Sequence, residues 1–293
     1  MHKDSTIKQL MYKVASLIPD KIYLSLKYKK NFGYFLDWKH PKTFSEKINW
    51  LKLYDRNPLY TRMVDKYEVK EYVAGIIGKQ YVIPTLGVWD RAEDIDFDLL
   101  PDQFVLKATH DSGRVVICTD KAKLDKVKAV EEMKKSLKRD FYAVTREWPY
   151  KNVKRRIIAE KFIAPRTKDT PKDLPDYKFF CFNGKVRCFK IDYGRFTEHH
   201  ANYYSHDGNL LPFGEKMYPP VYDHKEIMPY NLSEMIEMAE KLSEGHSFLR
   251  VDLYSVCGKT YFGELTFFPN SGMATFTDNK WDLKLGEWIN LPM

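Results

Sequence analysis

Apolar residues along this chain recur at two spacings, and the switch between them divides it. Near the N-terminus Ile7, Leu10, Met11, Val14, Leu17 and Ile18 keep helical spacing, with Lys8 and Lys13 off the stripe. Residues 1–60 read as mostly helical, carrying the aromatics Trp38, Phe44, Trp50 and Tyr54. Residues 65–77 predict a helix ended by Gly78, then a strand-like Tyr81-Val82-Ile83 before Pro84. Beyond that the period shortens. Residues 104–107 and 115–118 predict short strands around a polar loop at 109–114. Residues 124–139 alternate charge as a solvated helix does, and residues 156–160 predict a buried strand. A further helix follows Asn231 as cap, with Glu234 completing a capping-box pattern. Its apolar stripe is Leu232, Met235, Ile236, Ala239 and Leu242, and Gly245 stops it.

Two hairpins carry the chemistry. Runs 251–256 and 260–267 flank Cys257-Gly258-Lys259, and residues 176–192 fold about Asn183-Gly184. A two-residue turn at Cys257-Gly258 would pair 252 with 263 and set Asp252 and Glu264 on opposite faces. A three-residue loop with Gly258 as a bulge pairs 252 with 262 and 250 with 264, so that Arg250, Asp252 and Glu264 share a face. The second register is the expectation taken forward. The same geometry in the other hairpin pairs 181 with 185, 178 with 188 and 176 with 190. Asp176, Lys178 and Lys190 then share a face, while Cys181 and Cys188 point apart. Two carboxylates converging among apolar residues need compensating charge. Arg250 supplies part, and a hard divalent ion on oxygen ligands, Mg²⁺ bridging nucleotide phosphates, would supply the rest. The plainer alternatives are a half-buried salt bridge in the first hairpin and a solvated Asp176–Lys190 pair in the second.

Composition narrows the class without naming it. At 44% hydrophobic, 15% aromatic and 30% charged, the 293 residues describe a globular chain large enough for two lobes. Lys+Arg 48 against Asp+Glu 40 gives +8 and points to an anionic partner: nucleotide, acidic glycan, nucleic acid or membrane surface. Cys118, Cys181, Cys188 and Cys257 lack CxxC or metal-type spacing and read as buried thiols in a reducing compartment. With no apolar run near 18 residues and no signal-peptide pattern, the expected location is cytoplasmic, at most at the inner face of the membrane. The N-terminal stripe, followed by Lys27, Lys29 and Lys30, reads first as a helix packed on its own domain and second as one resting on an anionic bilayer.

The order of segments KINWLKLYDRNP, DKYEVKEYV, FVLKATHDSG, DYKFFCFNGK and RVDLY…FGELTF resembles the ATP-grasp carboxylate–amine ligases, and within them the TupA-like branch of bacterial surface-polysaccharide pathways. The likeness runs from about Lys47 to the C-terminus. It implies an α/β (α+β) ATP-grasp fold with two lobes clamping ATP: a mainly helical N-terminal region over 1–98, a small lobe over 99–159 and a large lobe over 160–293. By the same resemblance Lys107 contacts phosphates, and His110, Ser112 and Gly113 belong to the phosphate-covering loop, where backbone N–H groups could form an anion nest. Glu160, Lys161 and Ile163 match the hinge that holds adenine. Asp176 falls near the ribose-binding acid, and Lys178 and Lys190 match basic positions facing phosphate or substrate. Asp252 and Glu264 match the Mg²⁺ ligands, and Arg250 an arginine near the reacting carboxyl phosphate. Two departures stand out. Gly113 is the loop's single glycine, with Asp111 and Arg114 stiffening it. Thr266 replaces the usual metal-ligating asparagine, leaving a weaker ligand that Asn270 or water would supplement.

The implied reaction joins a carboxylate and an amine through an acyl phosphate, with an amino acid or amino-sugar and a carboxylate-bearing glycan precursor as partners. Lys107, Arg250 and Lys190 are the expected catalytic cations, ATP and Mg²⁺ the cofactors, and no nucleic-acid partner is expected. His199 and His200, beside Arg195 and Glu198, read as solvated rather than as part of the acceptor site. Three rivals use the same residues differently: a sugar kinase on the same fold, a glycosyltransferase using a nucleotide-sugar, and a non-enzymatic module for anionic polymers. The last predicts that Asp252 and Glu264 are dispensable. The glycosyltransferase lacks a DxD or a glycine fingerprint here.

Overall fold

The computed structural model describes residues 17–163, 174–194, 198–224 and 228–292. The N-terminal stripe is therefore mostly outside the described residues, as is Arg195. The described chain begins with helix α1 (Asp20–Phe32) and α2 (Phe44–Tyr54), then the short α3 (Leu59–Val64) and α4 (Val69–Ile77). A reciprocal cap starts α2: Thr43 Oγ1 accepts from the Glu46 N–H while Glu46 accepts from the Thr43 N–H. Helix α4 begins later than its apolar pattern suggests. Asp65 accepts from the N–H groups of Tyr67 and Glu68 and holds a turn ahead of it. The strand expected at residues 81–83 is instead a 3₁₀ turn, Lys79–Tyr81, followed by one bridge from Val82 to Phe262.

Two antiparallel sheets follow. The first has the order β1-β4-β2-β3, with β1 Thr85–Trp89, β2 Phe104–Ala108, β3 Val115–Cys118 and β4 Ile157–Lys161. It draws β1 from ahead of residue 99 and reaches Lys161 at its far end. Helix α5 (Lys126–Lys138) turns Ala129 and Met133 onto Phe104, Leu106, Ile157 and Ala159, closing a core separate from the main one. The expected solvated helix is thus half-embedded. Helix α6 (Phe141–Thr145) leads from it to β4.

The second sheet has the order β7-β6-β5-β8-β9: β5 Asp176–Phe182, β6 Lys185–Tyr193, β7 His200–Ser205, β8 Phe248–Val256 and β9 Lys259–Thr266. Helix α7 (Leu232–Ser243) covers one face with Met235, Ile236, Ala239 and Leu242. No side-chain cap starts it. Asn231 instead donates to Thr260 and accepts from Ser255, and Glu234 accepts from Thr260 and Tyr81, so the expected capping box is spent on tying α7 to β9 and Tyr81. On the opposite face Phe180, Phe182 and Phe248 pack against Phe44 of α2, and α8 (Lys280–Glu287) completes that layer.

Neither hairpin uses the three-residue loop. Both close with two-residue turns whose central residues are left-handed, Asn183-Gly184 (φ 49 and 77) and Cys257-Gly258 (φ 50 and 73). Such turns match the strand twist. One residue is then inserted further in. Leu253 faces Phe262 but Asp252 faces Glu264, with Gly263 as the extra residue. A Cβ on Gly263 would lie 2.9 Å from the Asp252 carbonyl oxygen. In the other hairpin Cys181 faces Val186 but Phe180 faces Cys188, so Lys178 opposes Lys190 and Asp176 opposes Asp192. The expected shared faces are therefore present, but the bulges produce them, with different partners. Cys118, Cys181 and Cys188 are buried free thiols. Cys257, at a turn, is exposed and corrects the expectation of four buried ones.

Gly286 tests the α2–α8 contact. A Cβ there would fall 2.1 Å from the Lys42 carbonyl oxygen and 2.6 Å from the Thr43 carbonyl carbon, against backbone that cannot swing away. Gly286→Ala is expected to lower the urea midpoint by an amount equivalent to about 2–3 kcal/mol. Gly75→Ala, inside α4 with open space around it, should be neutral or stabilising by up to ~1 kcal/mol.

Candidate active site

The charged residues of the second sheet collect where its even-numbered positions on β5 and β6 meet Arg250 and Asp252 of β8. Arg250 makes a bidentate pair with Asp252 (Nε–Oδ1 and Nη2–Oδ2, both 2.7 Å). It also donates to Glu264 at 2.9 Å and to Thr266 Oγ1 at 3.0 Å. Lys178 bonds Asp176, lies 3.0 Å from Asp192 and 3.6 Å from Asp252. Lys190 is 3.6 Å from Asp192 and 3.3 Å from Glu215. Five carboxylates (Asp176, Asp192, Asp252, Glu215, Glu264) thus face three cations (Lys178, Lys190, Arg250), all buried but Glu264.

The electrostatic balance is uneven. Burial drives the Asp252 carboxyl up to about 6 against the pull of Arg250 and Lys178, and Asp176 and Glu264 add to the rise. Burial works against the Lys178 ammonium, yet Asp176, Asp252 and Asp192 raise its pKa above the ordinary lysine range. Glu264 behaves oppositely to Asp252. Burial would raise it, but Lys66, Arg250, Lys178 and Lys107 hold it at about 2. Its side chain is 40% exposed, whereas Asp252 is enclosed, so Glu264 is the acid that opens to the cleft. Lys66 and Lys107 belong to the side of the first sheet, Lys66 through its bond to the Asp111 carbonyl and Lys107 as part of β2.

On that side the anchor is Glu160. It accepts from Lys70 at 2.5 Å and Lys107 at 2.6 Å. Burial would raise its pKa, but the two lysines bring it to about 2. Lys70 also donates to the Ile83 carbonyl and to Thr85 Oγ1. Beyond Glu160, the hinge residues Lys161, Phe162 and Ile163 line a cavity of about 560 Å³ with Lys79, Val82, Cys257 and Tyr261. The loop at 109–114 is firmly anchored. Asp111 accepts from Ser136 at 2.6 Å, from Arg139 at 2.8 Å and from the Ser112 N–H, while its carbonyl accepts from Lys66. The His110 side chain is buried, with Nε2 3.1 Å from the Arg139 carbonyl. Ser112 and Gly113 are exposed, and Gly113 takes φ 88.

A strained turn closes the other end. Asn270, Ser271 and Gly272 are left-handed in succession (φ 47, 58 and 67). Lys52 donates to the Ser271 carbonyl at 2.5 Å, Asn49 to the Gly272 carbonyl at 2.7 Å, and Ser271 Oγ to Glu147 at 2.5 Å. Burial brings Lys52 down to about 7 against the pull of Glu147, and burial raises Glu147 in turn. The Asn270 amide donates to Glu215 at 2.8 Å, so it is turned toward Lys190 rather than toward Asp252 as a supplementary ligand.

The structure brings together Arg250, Asp252, Glu264, Thr266, Asp176, Lys178 and Lys190, with Lys107 opposite. Glu160, expected at the adenine-holding hinge, has both oxygens engaged by lysines. His199 and His200, expected to be solvated, are partly exposed and partnered. His199 lies 3.2 Å from Asp192 and stacks on Tyr218 at 3.8 Å, while His200 Nδ1 is 3.0 Å from the Pro219 carbonyl. Sequence reasoning missed Lys66, Lys70, Asp192 and Glu215. Asp192 was accessible by alternation, two residues beyond Lys190. Glu215 sits in a loop with no periodic signal. Among the described residues no group of three or more His, Cys, Asp or Glu side chains is arranged to hold a metal ion. The donor set available is two carboxylates with the Thr266 hydroxyl, the hard oxygen ligands that a hard cation takes.

The first sheet presents Glu160 with Lys107 and the second Asp252 and Glu264 with Arg250, which is the setting of an ATP-grasp protein. The chain belongs to the TupA-like ATP-grasp family, whose pattern it matches over residues 46–290. Among solved structures it is similar to an L-amino acid ligase from Bacillus licheniformis, at 16% identity over 85% of this chain and 55% of that one, with a TM-score of 0.46. A D-alanine–D-alanine ligase from Helicobacter pylori gives 15%, 84%, 69% and 0.44, in the same order. One from Bacillus anthracis, complexed with ATP, gives 14%, 70%, 54% and 0.40. The chain spans roughly half to two thirds of the length of these ligases. No curated protein matches it.

Glu160 supplies a pH test. Its folded value near 2 lies below its ordinary 4.5, so its stabilisation is fully present above pH 4.5 and is lost as pH falls through about 2. The size is about 3 kcal/mol from the shift. Urea midpoints followed from pH 6 to pH 2 should fall steeply in the wild type. Glu160→Gln should start lower and decline less. Parallel curves would show that Lys70 and Lys107 do not hold this carboxylate.

Proposed function

We propose that the protein is an ATP-dependent carboxylate–amine ligase that forms an amide through an acyl phosphate, joining an amino acid or amino-sugar to a surface-glycan precursor. The observation that carries this reading is the cross-strand pair Asp252–Glu264, bridged by Arg250 and facing Lys66 and Lys107 across the cleft. Anionic ligands on one wall and cations on the other suit a metal-bound polyphosphate.

In this reading the hinge cavity beside Lys161, Phe162 and Ile163 takes the adenine, and Lys107 with the exposed Ser112–Gly113 segment meets the phosphates. Asp252, Glu264 and Thr266 would hold Mg²⁺, which would supply Lewis-acid neutralisation of phosphate charge. A substrate carboxylate oxygen attacks the γ-phosphorus, the bond to the β-phosphate oxygen breaks, and ADP leaves. The amine nitrogen then bonds to the acyl carbon, inorganic phosphate departs, and the nitrogen sheds its proton. Arg250 and Lys107 offset the charge that develops on the transferred group. Lys190 and Lys178 lie deeper, on the side of Asp192 and His199, and orient the carboxylate-bearing partner. The +8 balance and the Tyr218–His199 stack support an acidic, ring-bearing acceptor.

Calorimetric titration with a non-hydrolysable ATP analogue tests the reading. The wild type should bind in a Mg²⁺-dependent manner, and Glu264→Ala should weaken or abolish that dependence. ADP release on a panel of amino acids and uronic acids should fall about a hundredfold or more in Glu264→Ala and in Asp252→Asn. Absence of nucleotide binding under all conditions would sink the ligase reading.

A further inference from the structure

The face of α1 that turns away from the protein has no partner among the described residues, although it is apolar. Ile22 and Leu26, one helical turn apart, are 53% and 54% exposed, and Leu17 just ahead of the helix is 83% exposed. Leu24, Tyr28 and Asn31 recur on the opposite side. The first two are buried, and Asn31 donates to the Met273 carbonyl. After Gly33 the chain doubles back and sets Phe35, 55% exposed, beneath the Lys29 ammonium at 4.3 Å. Lys29 and Lys30 follow Leu26 on the outward face, and Lys21 borders it, all three exposed. The result is an aliphatic and aromatic strip rimmed by lysines.

We propose that this strip is a docking surface for an anionic lipid bilayer, lying on it rather than crossing it. Apolar side chains would enter the boundary between headgroups and acyl chains, while lysines extend their stems along it and keep their ammonium groups at the lipid phosphates. Charge decides against the other occupants. A second copy would bring the same lysines against these, since an isologous contact is self-facing. The chain's own residues 1–16 carry Lys3, Lys8 and Lys13 against Asp4 alone, so they add positive charge to a positive face. An anionic bilayer complements both. A phosphate polymer such as RNA would meet the lysines but leave Ile22, Leu26 and Phe35 in water. No described helix is long and apolar enough to cross a membrane, which agrees with a surface contact. Through Asn31 the back of α1 touches Met273, the residue after the strained turn.

Co-sedimentation of the full chain with vesicles tests the proposal independently of catalysis. Vesicles rich in phosphatidylglycerol should retain the wild type at least about tenfold better than pure phosphatidylcholine, and added salt should weaken the binding. The Ile22→Asn, Leu26→Asn double variant and the Lys29→Glu, Lys30→Glu double variant should each lose most of it. Both should keep the wild-type circular dichroism and binding of the ATP analogue, because the substituted side chains are exposed. Equal retention of wild type and variants, or no retention on anionic vesicles, overturns the proposal. So does a concentration-dependent dimer that the same variants dissolve, or binding to RNA with none to vesicles. A failed ligase assay with intact vesicle binding leaves this proposal standing.

Discussion

Everything in the cleft depends on how a buried sheet accommodates alternating charge. Strands β5 and β6 are enclosed on both faces along most of their length, yet their even-numbered positions carry Asp176, Lys178, Lys190 and Asp192. Isolated, any one of these charges in such a place would be severely destabilising. Interleaved, each cation serves two or more carboxylates, and the arrangement persists only because the bulges bring Lys178 opposite Lys190 and Asp252 opposite Glu264. Without the extra residue at Gly263, Glu264 would turn into the apolar layer beneath α7. The bulge is therefore as much a part of the site as the acids are.

The lobes divide the electrostatic work. On the first sheet Glu160 gathers Lys70 and Lys107 and keeps both from dispersing into solvent. On the second, Arg250 holds Asp252 while leaving Glu264 partly open. Because a carboxylate in the first position and a guanidinium in the second are each already satisfied, neither wall needs a ligand in order to fold. What a ligand would change is Asp252, the acid that burial and its like-charged neighbours push up to about 6. A hard cation beside it would relieve the crowding that the protein's own three cations do not.

Much of this was legible in the residues. Strand positions 104–107, 115–118 and 176–192 and the helix after Asn231 follow from periodicity, because burial on one face imposes it. The convergence of Arg250, Asp252 and Glu264 was also readable, although the turn that was expected to produce it was not used. Loop length cannot be read from Cys257-Gly258-Lys259, since both a two-residue turn and a three-residue loop accept a glycine there, and a bulge at Gly263 looks like an ordinary small strand residue. The burial of the His110 side chain was not legible, because nothing local marks it. Its placement follows from Asp111 binding Ser136 and Arg139 some twenty-five residues away, a tertiary fact. Glu215 was invisible for the same reason. Loops carry no period, so their contributions come only with the fold.

The strained turn shows how the helical N-terminal region enters the function rather than decorating it. Two non-glycine residues in the left-handed region cost about 1–3 kcal/mol each, and Asn270 and Ser271 are adjacent. Lys52 and Asn49 of α2 donate to the turn's carbonyls, and Glu147 accepts from Ser271 Oγ. Burial lowers Lys52 to about 7 and raises Glu147, moving each toward its neutral form. The hold on the turn does not hinge on which form prevails. A neutral amine still donates to the Ser271 carbonyl, and a protonated Glu147 keeps an oxygen free to accept from Ser271 Oγ. Helix α2 thus supplies an anchor that is indifferent to local charge, next to a cleft in which charge is what changes.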